Sequence, residues 1–144
     1  MASDYPVNFH FKLSFKGEDA AFQEVTGISK EMKVEEVVSG GENRFKYKLP
    51  NGVTSPNLVL KRALVPVDSL LNLWIVYSLS GDLLLPMVTV PVMVSLLDKK
   101  GDTQVMWIFH DAYPVKYAVS DLKSNGNDVL IESIELAYSY FDVI

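Results

Sequence analysis

The sequence predicts a mainly β protein: an antiparallel β-sandwich or barrel with one main α-helix packed on it and an extended loop. Several segments alternate apolar and polar residues with a period of two, which is typical of half-buried strands. One segment, residues 66–81, instead has apolar residues near helical spacing. The order of these segments lacks the strand–helix–strand rhythm of a parallel sheet, which favours the antiparallel class.

Composition limits the size and class of the protein. The 144 residues, of which 49% are hydrophobic, suffice for one core of ordinary size, so we expect a single domain over residues 1–144. The net charge of −5 disfavours a general nucleic-acid binder, which is usually basic. Because the chain has no cysteine, disulfides and thiol chemistry are excluded. The longest apolar stretch is interrupted too often to span a membrane, so we expect a soluble protein.

The first third of the chain predicts three strands. Residues 8–15, "NFHFKLSF", place three phenylalanines and a leucine on one face and polar residues on the other. We expect a turn at Gly17–Ala20, then a short strand "FQEVTGIS" at 22–29 that Gly27 interrupts. A third strand, "EMKVEEVV" at 31–38, alternates Met32 and Val34 with charged residues.

The stretch "SGGENRFKYKLPNG", residues 39–52, predicts an extended arm. Gly40 and Gly41 turn the chain out of the preceding strand, and residues 50–52, Pro-Asn-Gly, turn it back. A phosphate loop is excluded because neither a GK[ST] ending nor a helix follows the glycines. Between the turns, the basic side chains share the face opposite the aromatic ones, which weakens a role in binding single-stranded nucleic acid. The residues assigned to this arm are Gly40, Gly41, Arg44, Lys46, Lys48 and Pro50.

The remaining elements follow in order. Residues 57–64, "NLVLKRAL", predict a strand, and 66–81 predict the helix, capped by Asp68 or Ser69 and ended by Ser80–Gly81. Two strands, 88–98 and 103–111, flank the hairpin turn "DKKGD". We expect residues 113–129 to be irregular and 129–141, "VLIESIELAYSYF", to form one long closing strand.

Glu132 is the unusual residue of the closing strand, because alternation places it on the same face as Ile134 and Leu136. A buried carboxylate is costly unless it is paired or hydrogen-bonded. Lys61 and Arg62, which close an earlier strand, are the candidate partners. The alternative is that Glu132 lies at a sheet edge and reaches solvent.

The residues reveal no catalytic, metal-binding or cofactor-binding constellation. His10 and His110 are too few for a zinc site and lie in no recognisable triad. Glu35 and Glu36 point to opposite faces of a strand, so they cannot act on one substrate atom. A binding or assembly module remains: long strands with one polar face suit a sheet that meets other copies or lines a channel. The alternative is a small β-barrel binding module for nucleic acid or ligand.

Several motifs, in this order, resemble those of the phage tail-tube family, which includes the inner tube proteins of contractile phage tails and of phage-tail-like contractile injection systems. "FQEVTGIS" is similar to the family's F-x-E-V-x-G strand, and "NLVLKRAL" contains its L-x-L-K-R. "WIFHDAYPVKY" is similar to its W-x-F-x-x-A-x-P-x-K, and "IESIEL" to its closing strand. The resemblance extends from about Phe9 to Phe141. The type VI secretion tube protein is a more distant relative in fold.

The resemblance implies the tail-tube fold and a structural role without catalysis or cofactors. Subunits would form hexameric rings that stack into a hollow tube inside a contractile sheath and conduct a payload of protein or DNA. The implied partners are other copies of the chain and sheath, baseplate and tube-terminator proteins, with no direct membrane anchor. Assembly would be cytoplasmic, as part of a phage-tail-like particle that can be released to the extracellular space.

Under this resemblance, two sets of residues become candidate interaction surfaces. The arm at 39–57 is expected to contact a neighbouring subunit or ring. The lumen is expected to be lined by the polar faces of two strands, namely Glu31, Lys33, Glu35, Ser133, Glu135 and Ser139.

Overall fold

Ten β-strands and one α-helix form the described part of the chain. A computed structural model describes residues 10–38, 46–64, 70–80, 88–120 and 130–144, with the backbone alone at 37–38 and 46–51. The elements are β1 (His10–Phe15), β2 (Glu18–Phe22), β3 (Glu24–Thr26), β4 (Glu31–Val38), β5 (Lys46–Thr54), β6 (Leu58–Ala63), α1 (Leu70–Leu79), β7 (Val90–Leu97), β8 (Thr103–Val119), β9 (Ile131–Ala137) and β10 (Tyr140–Val143).

These elements divide into two units. The smaller unit is Gly27–Pro56, and the larger unit holds the residues up to Thr26 together with those from Asn57 onward. The expectation of a single domain over residues 1–144 stays a prediction.

The larger unit is an antiparallel sheet in the strand order β2-β1-β7-β8-β9-β6-β3, with β10 also paired to β8. The two outermost strands, β2 and β3, are consecutive in the chain, and Gln23 between them donates its backbone N–H to the Lys61 carbonyl of β6 at 2.9 Å. The sheet therefore curls back on itself. The predicted mainly β architecture with a single helix is confirmed.

Strand β8 lies in the middle of this sheet, and its 17 residues pair with different neighbouring strands along their length. Its first part pairs with β7 on one side and β10 on the other, and its last part pairs with β9. Asp111 lies where the partners change and has a φ of +54°, in the left-handed region. The prediction that residues 113–129 are irregular is wrong for Tyr113–Val119, which continue the strand.

The predicted closing strand is in fact two strands. β9 ends at Ala137, and β10 begins at Tyr140 beside a different part of β8. At the break, Ser139 donates its backbone N–H to the His110 carbonyl at 2.9 Å and its Oγ–H to Asp111 Oδ2 at 3.1 Å. The rings of Phe109, Tyr138 and Phe141 pack together beneath this break. The alternation in residues 129–141 does not predict this break, because apolar residues continue on both sides of it.

The N-terminal hairpin also differs from the prediction. Its turn is Lys16–Gly17, with φ angles of +48° and +81°, both in the left-handed region that tight hairpin turns use. Strand β2 therefore begins at Glu18, inside the expected turn at Gly17–Ala20. The expected strand at 22–29 is divided at Gln23 between the end of β2 and the short β3. The predicted turn at 98–102 between β7 and β8 is confirmed, with Asp98 and Asp102 joined through their backbones.

The core follows the alternation seen in the sequence. In β6 and β9, every second residue is buried and the residues between are only half-buried. The helix covers one end of this core: the Trp74 ring packs on Phe15 with centroids 4.7 Å apart, and Trp74 Nε1 donates to the Val88 carbonyl at 2.9 Å. The core includes Leu13, Phe15, Phe22, Leu58, Leu60, Leu71, Val92, Val94, Phe109, Ile134 and Leu136.

The start of α1 is held by a residue that the sequence did not single out. Leu70 donates its backbone N–H to Glu18 Oε2 at 3.1 Å, so a carboxylate from β2 accepts a hydrogen bond that the first helical turn leaves free. The expected caps, Asp68 and Ser69, and the expected stop at Gly81 lie outside the described residues.

The smaller unit is an antiparallel hairpin of β4 and β5 in the place of the expected extended arm. Its register pairs Met32 with Val53 but Val34 with Pro50, so β5 has one extra residue at a β-bulge. Gly52 lies at the bulge with a φ of +87°, which glycine adopts without the steric cost of a Cβ. The prediction that residues 50–52 turn the chain back is therefore wrong. Gly40, Gly41 and Arg44 lie outside the described residues.

Glu132 is buried with an arginine as its partner. Arg62 stands directly opposite it in the β6–β9 register, and Arg62 Nε donates to Glu132 Oε1 at 2.5 Å. The other carboxylate oxygen, Oε2, accepts the hydroxyl of Tyr117 at 3.0 Å. Lys61, the other candidate partner, is on the opposite face and pairs with Glu24 at 3.6 Å. The alternative of a solvated Glu132 is excluded by its exposure of only 1%.

The same arginine contacts two further elements. Its Cζ lies 4.7 Å from the centroid of the Phe22 ring in β2, a cation–π distance, and its Nη2 lies 3.4 Å from Asn72 Oδ1 in α1. Asn72 is itself buried. The guanidinium group therefore joins β2, β6, β9 and the helix around one charge.

We expect Glu132→Ala to lower the free energy of unfolding by about 3–5 kcal/mol, because it leaves the Arg62 charge buried without its partner. The double variant Arg62→Met/Glu132→Leu removes both charges and should recover most of this loss. Urea unfolding of the wild type and both variants measures these differences. A single variant as stable as the wild type would contradict a buried, paired Glu132.

Alkaline stability should depend on Tyr117. Burial, and then its hydrogen bond to Glu132, raises the pKa of Tyr117 above its ordinary value of 10.0. Because the folded-state pKa is raised, the stabilisation is fully present below about pH 10 and is lost as the pH rises through the folded-state pKa. Thermal unfolding of Tyr117→Phe and wild type between pH 8 and 11 should show a gap that narrows at the alkaline end. A gap of constant size would contradict this role.

The backbone conformation of Asp111 also has a measurable cost. Asp111→Gly and Asp111→Val both lose the Ser139 hydrogen bond, but only valine is strained at a positive φ. We expect the valine variant to be less stable than the glycine variant by about 1–2 kcal/mol. Urea unfolding of the pair isolates the backbone effect, and equal stabilities would argue against a left-handed Asp111.

Candidate assembly surfaces

The hairpin of β4 and β5 has one exposed apolar side. Met32, Val34 and Val53 have exposures of 51%, 54% and 57%. Met32 pairs with Val53, and Val34 is two residues further along β4, so these three side chains share one side of the hairpin. An isolated two-stranded hairpin is marginally stable in water. This apolar side, formed by Met32, Val34 and Val53, is the first candidate surface.

The opposite side of the hairpin carries the predicted lumen residues of β4. Glu31, Lys33 and Glu35 are exposed, and they alternate with the apolar residues of the strand. Thr54 pairs with Glu31 and is also exposed. For the arm residues Lys46, Lys48 and Pro50, the structure describes the backbone, which lies in β5, and not the side chains.

Ser133 and Glu135 lie together on the outer side of the larger unit's sheet. Glu135 Oε2 accepts a hydrogen bond from Asn57 Nδ2 at 2.8 Å, and Ser133 pairs with Lys61 in the register. Both residues are half-buried. This side of β6 and β9 therefore carries charges of both signs, but it also includes the apolar residues Val59, Ala63, Ile131 and Ala137.

Ser139 does not lie with Ser133 and Glu135 on this side of the sheet. It lies at the break between β9 and β10, where its hydroxyl binds Asp111. The alternation that placed Ser139 beside Glu135 ends at Ala137. Its role as a lumen residue stays a prediction, but one that strand alternation no longer supports.

An open depression of about 570 Å³ lies on the same outer side of the sheet. Its one cationic group, Lys61, is already paired with Glu24. Ligand sites are clefts that enclose most of the ligand's surface, whereas this depression is open to solvent. It is lined by Gln23, Glu24, Lys61, Ala118, Val119, Ser120, Ile131 and Ser133.

The outer side of α1 is an exposed surface that sequence reasoning missed. Leu73, Val76 and Tyr77 have exposures of 49%, 56% and 64%. The sequence did carry a signal, because residues 70–79 contain no charged residue. A helix that is apolar all round usually has partners on more than one side.

Within the described ranges, no three His, Asp or Glu side chains are grouped as a metal ion would require. The helix that the structure describes is too short to cross a membrane.

The fold is similar to that of several solved structures. A chain in the six-fold symmetrised cryo-EM structure of the anti-feeding prophage baseplate is 27% identical, with 100% of this chain and 97% of that chain covered and a TM-score of 0.78. A chain in the extended sheath-tube complex of PVC, an extracellular contractile injection system, is 22% identical, with coverages of 98% and 93% and a TM-score of 0.78. Hcp1 from Flavobacterium johnsoniae is 12% identical, with coverages of 93% and 94% and a TM-score of 0.55.

The family comparison agrees with this likeness in fold. The model of the family described as T4-like virus tail tube protein gp19 matches residues 7–142, which is nearly the whole chain. No curated protein sequence matches the chain. The family's role is that of a structural tube protein, and the resemblance inferred from the sequence motifs is confirmed. The chain therefore belongs to the T4-like virus tail tube protein gp19 family.

Proposed function

We propose that this chain is the structural subunit of the inner tube of a phage-tail-like contractile particle. Copies form hexameric rings, and the rings stack into a hollow tube that conducts a payload inside a sheath. The proposal is carried by the family match over residues 7–142. It is supported by the likeness, over all of this chain, to a chain in a six-fold symmetrised baseplate structure.

The partners proposed for the chain follow from the assemblies that contain similar chains. Those assemblies are a baseplate, a tube-terminating cap, a sheath-tube complex and a sheath/tube terminator. We infer that this chain likewise meets sheath, baseplate and terminator proteins, as part of a particle that is assembled in the cytoplasm and released from the cell. The payload is a protein or DNA, and the chain performs no chemistry on it.

The hairpin is the proposed contact with a neighbouring copy. Its apolar side exposes Met32, Val34 and Val53, each by about half. Covering these side chains removes apolar surface from water, at a gain of about 25 cal/mol per Å². A neighbouring subunit or ring that binds this side would also order the hairpin, which two strands alone hold weakly.

The charged sides of the two units are the proposed lumen surfaces. Glu31, Lys33 and Glu35 are exposed on one unit, and Ser133 and Glu135 lie on the outer side of the sheet of the other. Charged side chains of both signs keep such a wall hydrated. Such a lining suits conduction.

A pair of neighbouring lysine substitutions tests the hairpin contact. Val53 and Thr54 are both exposed but point to opposite sides of β5, so Val53→Lys and Thr54→Lys add the same charge to different surfaces. We expect Val53→Lys to abolish ring and tube formation, because a lysine buried in an apolar contact is costly. Thr54→Lys should still assemble. Negative-stain electron microscopy and sedimentation velocity measure assembly, and circular dichroism checks that each variant is folded.

The outcomes of this experiment distinguish a failure of the proposed hairpin contact from a failure of the proposed tube function. If both lysine variants assemble like the wild type, the apolar side of the hairpin is not an interface. If wild-type protein forms no rings or tubes, either alone or co-expressed with sheath and baseplate proteins of its particle, the proposed tube function is wrong.

A further inference from the structure

The sulfur atoms of this chain are confined to five methionines, because the sequence has no cysteine. Three of the methionines lie in described strands: Met32 in β4, Met93 in β7 and Met106 in β8. The Met32 side chain is 51% exposed, whereas Met93 and Met106 are half-buried. Among these three, Met32 therefore presents its thioether most openly to solvent.

The difference in exposure follows from the strands that flank each methionine. Met93 lies between two paired strands, opposite Ser14 of β1 on one side and Ile108 of β8 on the other. Met32 lies opposite Val53 of β5, and the sheet described there consists of β4 and β5 alone. A methionine in a two-stranded sheet has a cross-strand neighbour on one side only, so more of its side chain stays accessible.

The side of the hairpin around Met32 suits a thioether better than a polar group. Its described neighbours on that side, Val34 and Val53, are exposed by 54% and 57%, and a valine side chain has no hydrogen-bond donor. Oxidation to the sulfoxide would convert this apolar side chain into a polar one with an oxygen that accepts hydrogen bonds. Covering that oxygen against an apolar surface would leave it without a donor, which costs free energy.

We propose that Met32 is a site of reversible oxidation by peroxide, and that its oxidation state determines whether a free subunit can join the tube. A sulfur lone pair attacks one peroxide oxygen, so that the S–O bond forms as the O–O bond breaks. The proton of the transferred hydroxyl passes to the departing hydroxide, which leaves as water. The sulfur is thereby oxidised by two electrons and the peroxide is reduced. This inference rests on the proposed function, in which the apolar side of the hairpin contacts a neighbouring copy.

Oxidation and assembly oppose each other at this site. A contact that buries the Met32 thioether shields it from peroxide, and an oxidised side chain weakens the same contact. Free subunits that meet peroxide are left out of the tube until sulfoxide reductases restore the thioether. Subunits in a finished tube stay reduced, which protects a particle that leaves the reducing cytoplasm for an oxidising exterior.

Peroxide treatment followed by mass spectrometry of the peptides tests the site itself. In the free subunit, we expect Met32 to gain an oxygen several times faster than Met93 and Met106, because its side chain is the most exposed of the three. In assembled tubes, Met32 should be oxidised about tenfold more slowly or less, the factor that about 1.4 kcal/mol of contact free energy supplies. Equal rates at the three methionines, or an unchanged Met32 rate in tubes, would contradict the site.

Assembly of peroxide-treated subunits tests the consequence of oxidation. We expect oxidised wild type to need a concentration about tenfold higher, or more, to form rings and tubes. Met32→Leu keeps the other four methionines and should assemble equally well before and after treatment. The two reductases that act on the two sulfoxide epimers should restore assembly of oxidised wild type. Sedimentation velocity and negative-stain electron microscopy measure assembly, and circular dichroism checks folding.

A permanent polar side chain gives an independent readout that needs no oxidant. Met32→Gln places an uncharged polar group on the apolar side of the hairpin, whereas Thr54→Gln places the same group on the opposite side. We expect Met32→Gln to raise the concentration needed for assembly as oxidation does, and Thr54→Gln to leave it unchanged. Equal behaviour of the two glutamine variants would argue against the inference.

The remaining outcomes distinguish this inference from the proposed function. Loss of assembly in peroxide-treated Met32→Leu would show that another methionine responds, and would overturn the assignment to Met32. Normal assembly of wild type whose Met32 carries the added oxygen would overturn the inference and leave the tube function standing. Untreated wild type that never assembles, alone or with sheath and baseplate proteins, would overturn both.

Discussion

The buried ion pair between Arg62 and Glu132 is the constraint on which the rest of the larger unit depends. The two residues face each other in the β6–β9 register, and a slip of one residue would move the slipped strand's apolar residues to the wet side. The Glu132 side chain is only 1% exposed, so such a slip would leave its buried carboxylate without the arginine partner. The pair also reaches the helix through Asn72 and β8 through Tyr117. One buried charge pair thereby constrains how three strands and the helix pack.

Strand β8 provides the complementary constraint, since it joins two groups of strands that share no other member. Its first part pairs with β7 and β10, and its last part pairs with β9. Asp111 lies where the partners of β8 change and adopts a left-handed backbone conformation. Its carboxylate accepts a hydrogen bond from Ser139, which lies at the break between β9 and β10. The bend in one strand and the break in the other are therefore a single feature of the fold.

The fold completes one core and still leaves apolar surface exposed. The helix, the hairpin and the end of β10 each expose large apolar side chains, whereas the outer side of β6 and β9 mixes charged and apolar residues. Monomeric proteins rarely leave several such clusters uncovered. For a member of the tail tube family, surfaces of two kinds suit two tasks: the apolar clusters suit contacts between subunits, and the charged sides suit a hydrated channel.

The sequence by itself determined the mainly β class, most of the strands and the helix, because alternation and helical spacing are properties of residues two to four positions apart. The tertiary structure decided which cation pairs with Glu132, that residues 113–119 continue β8, and that the closing strand breaks at Ser139. It also decided that Pro50–Gly52 form a bulge rather than a turn. Each of these depends on the strand lying opposite, as in the contact between Arg62 and Glu132, which are 70 residues apart. Local pattern carries no information about such a neighbour.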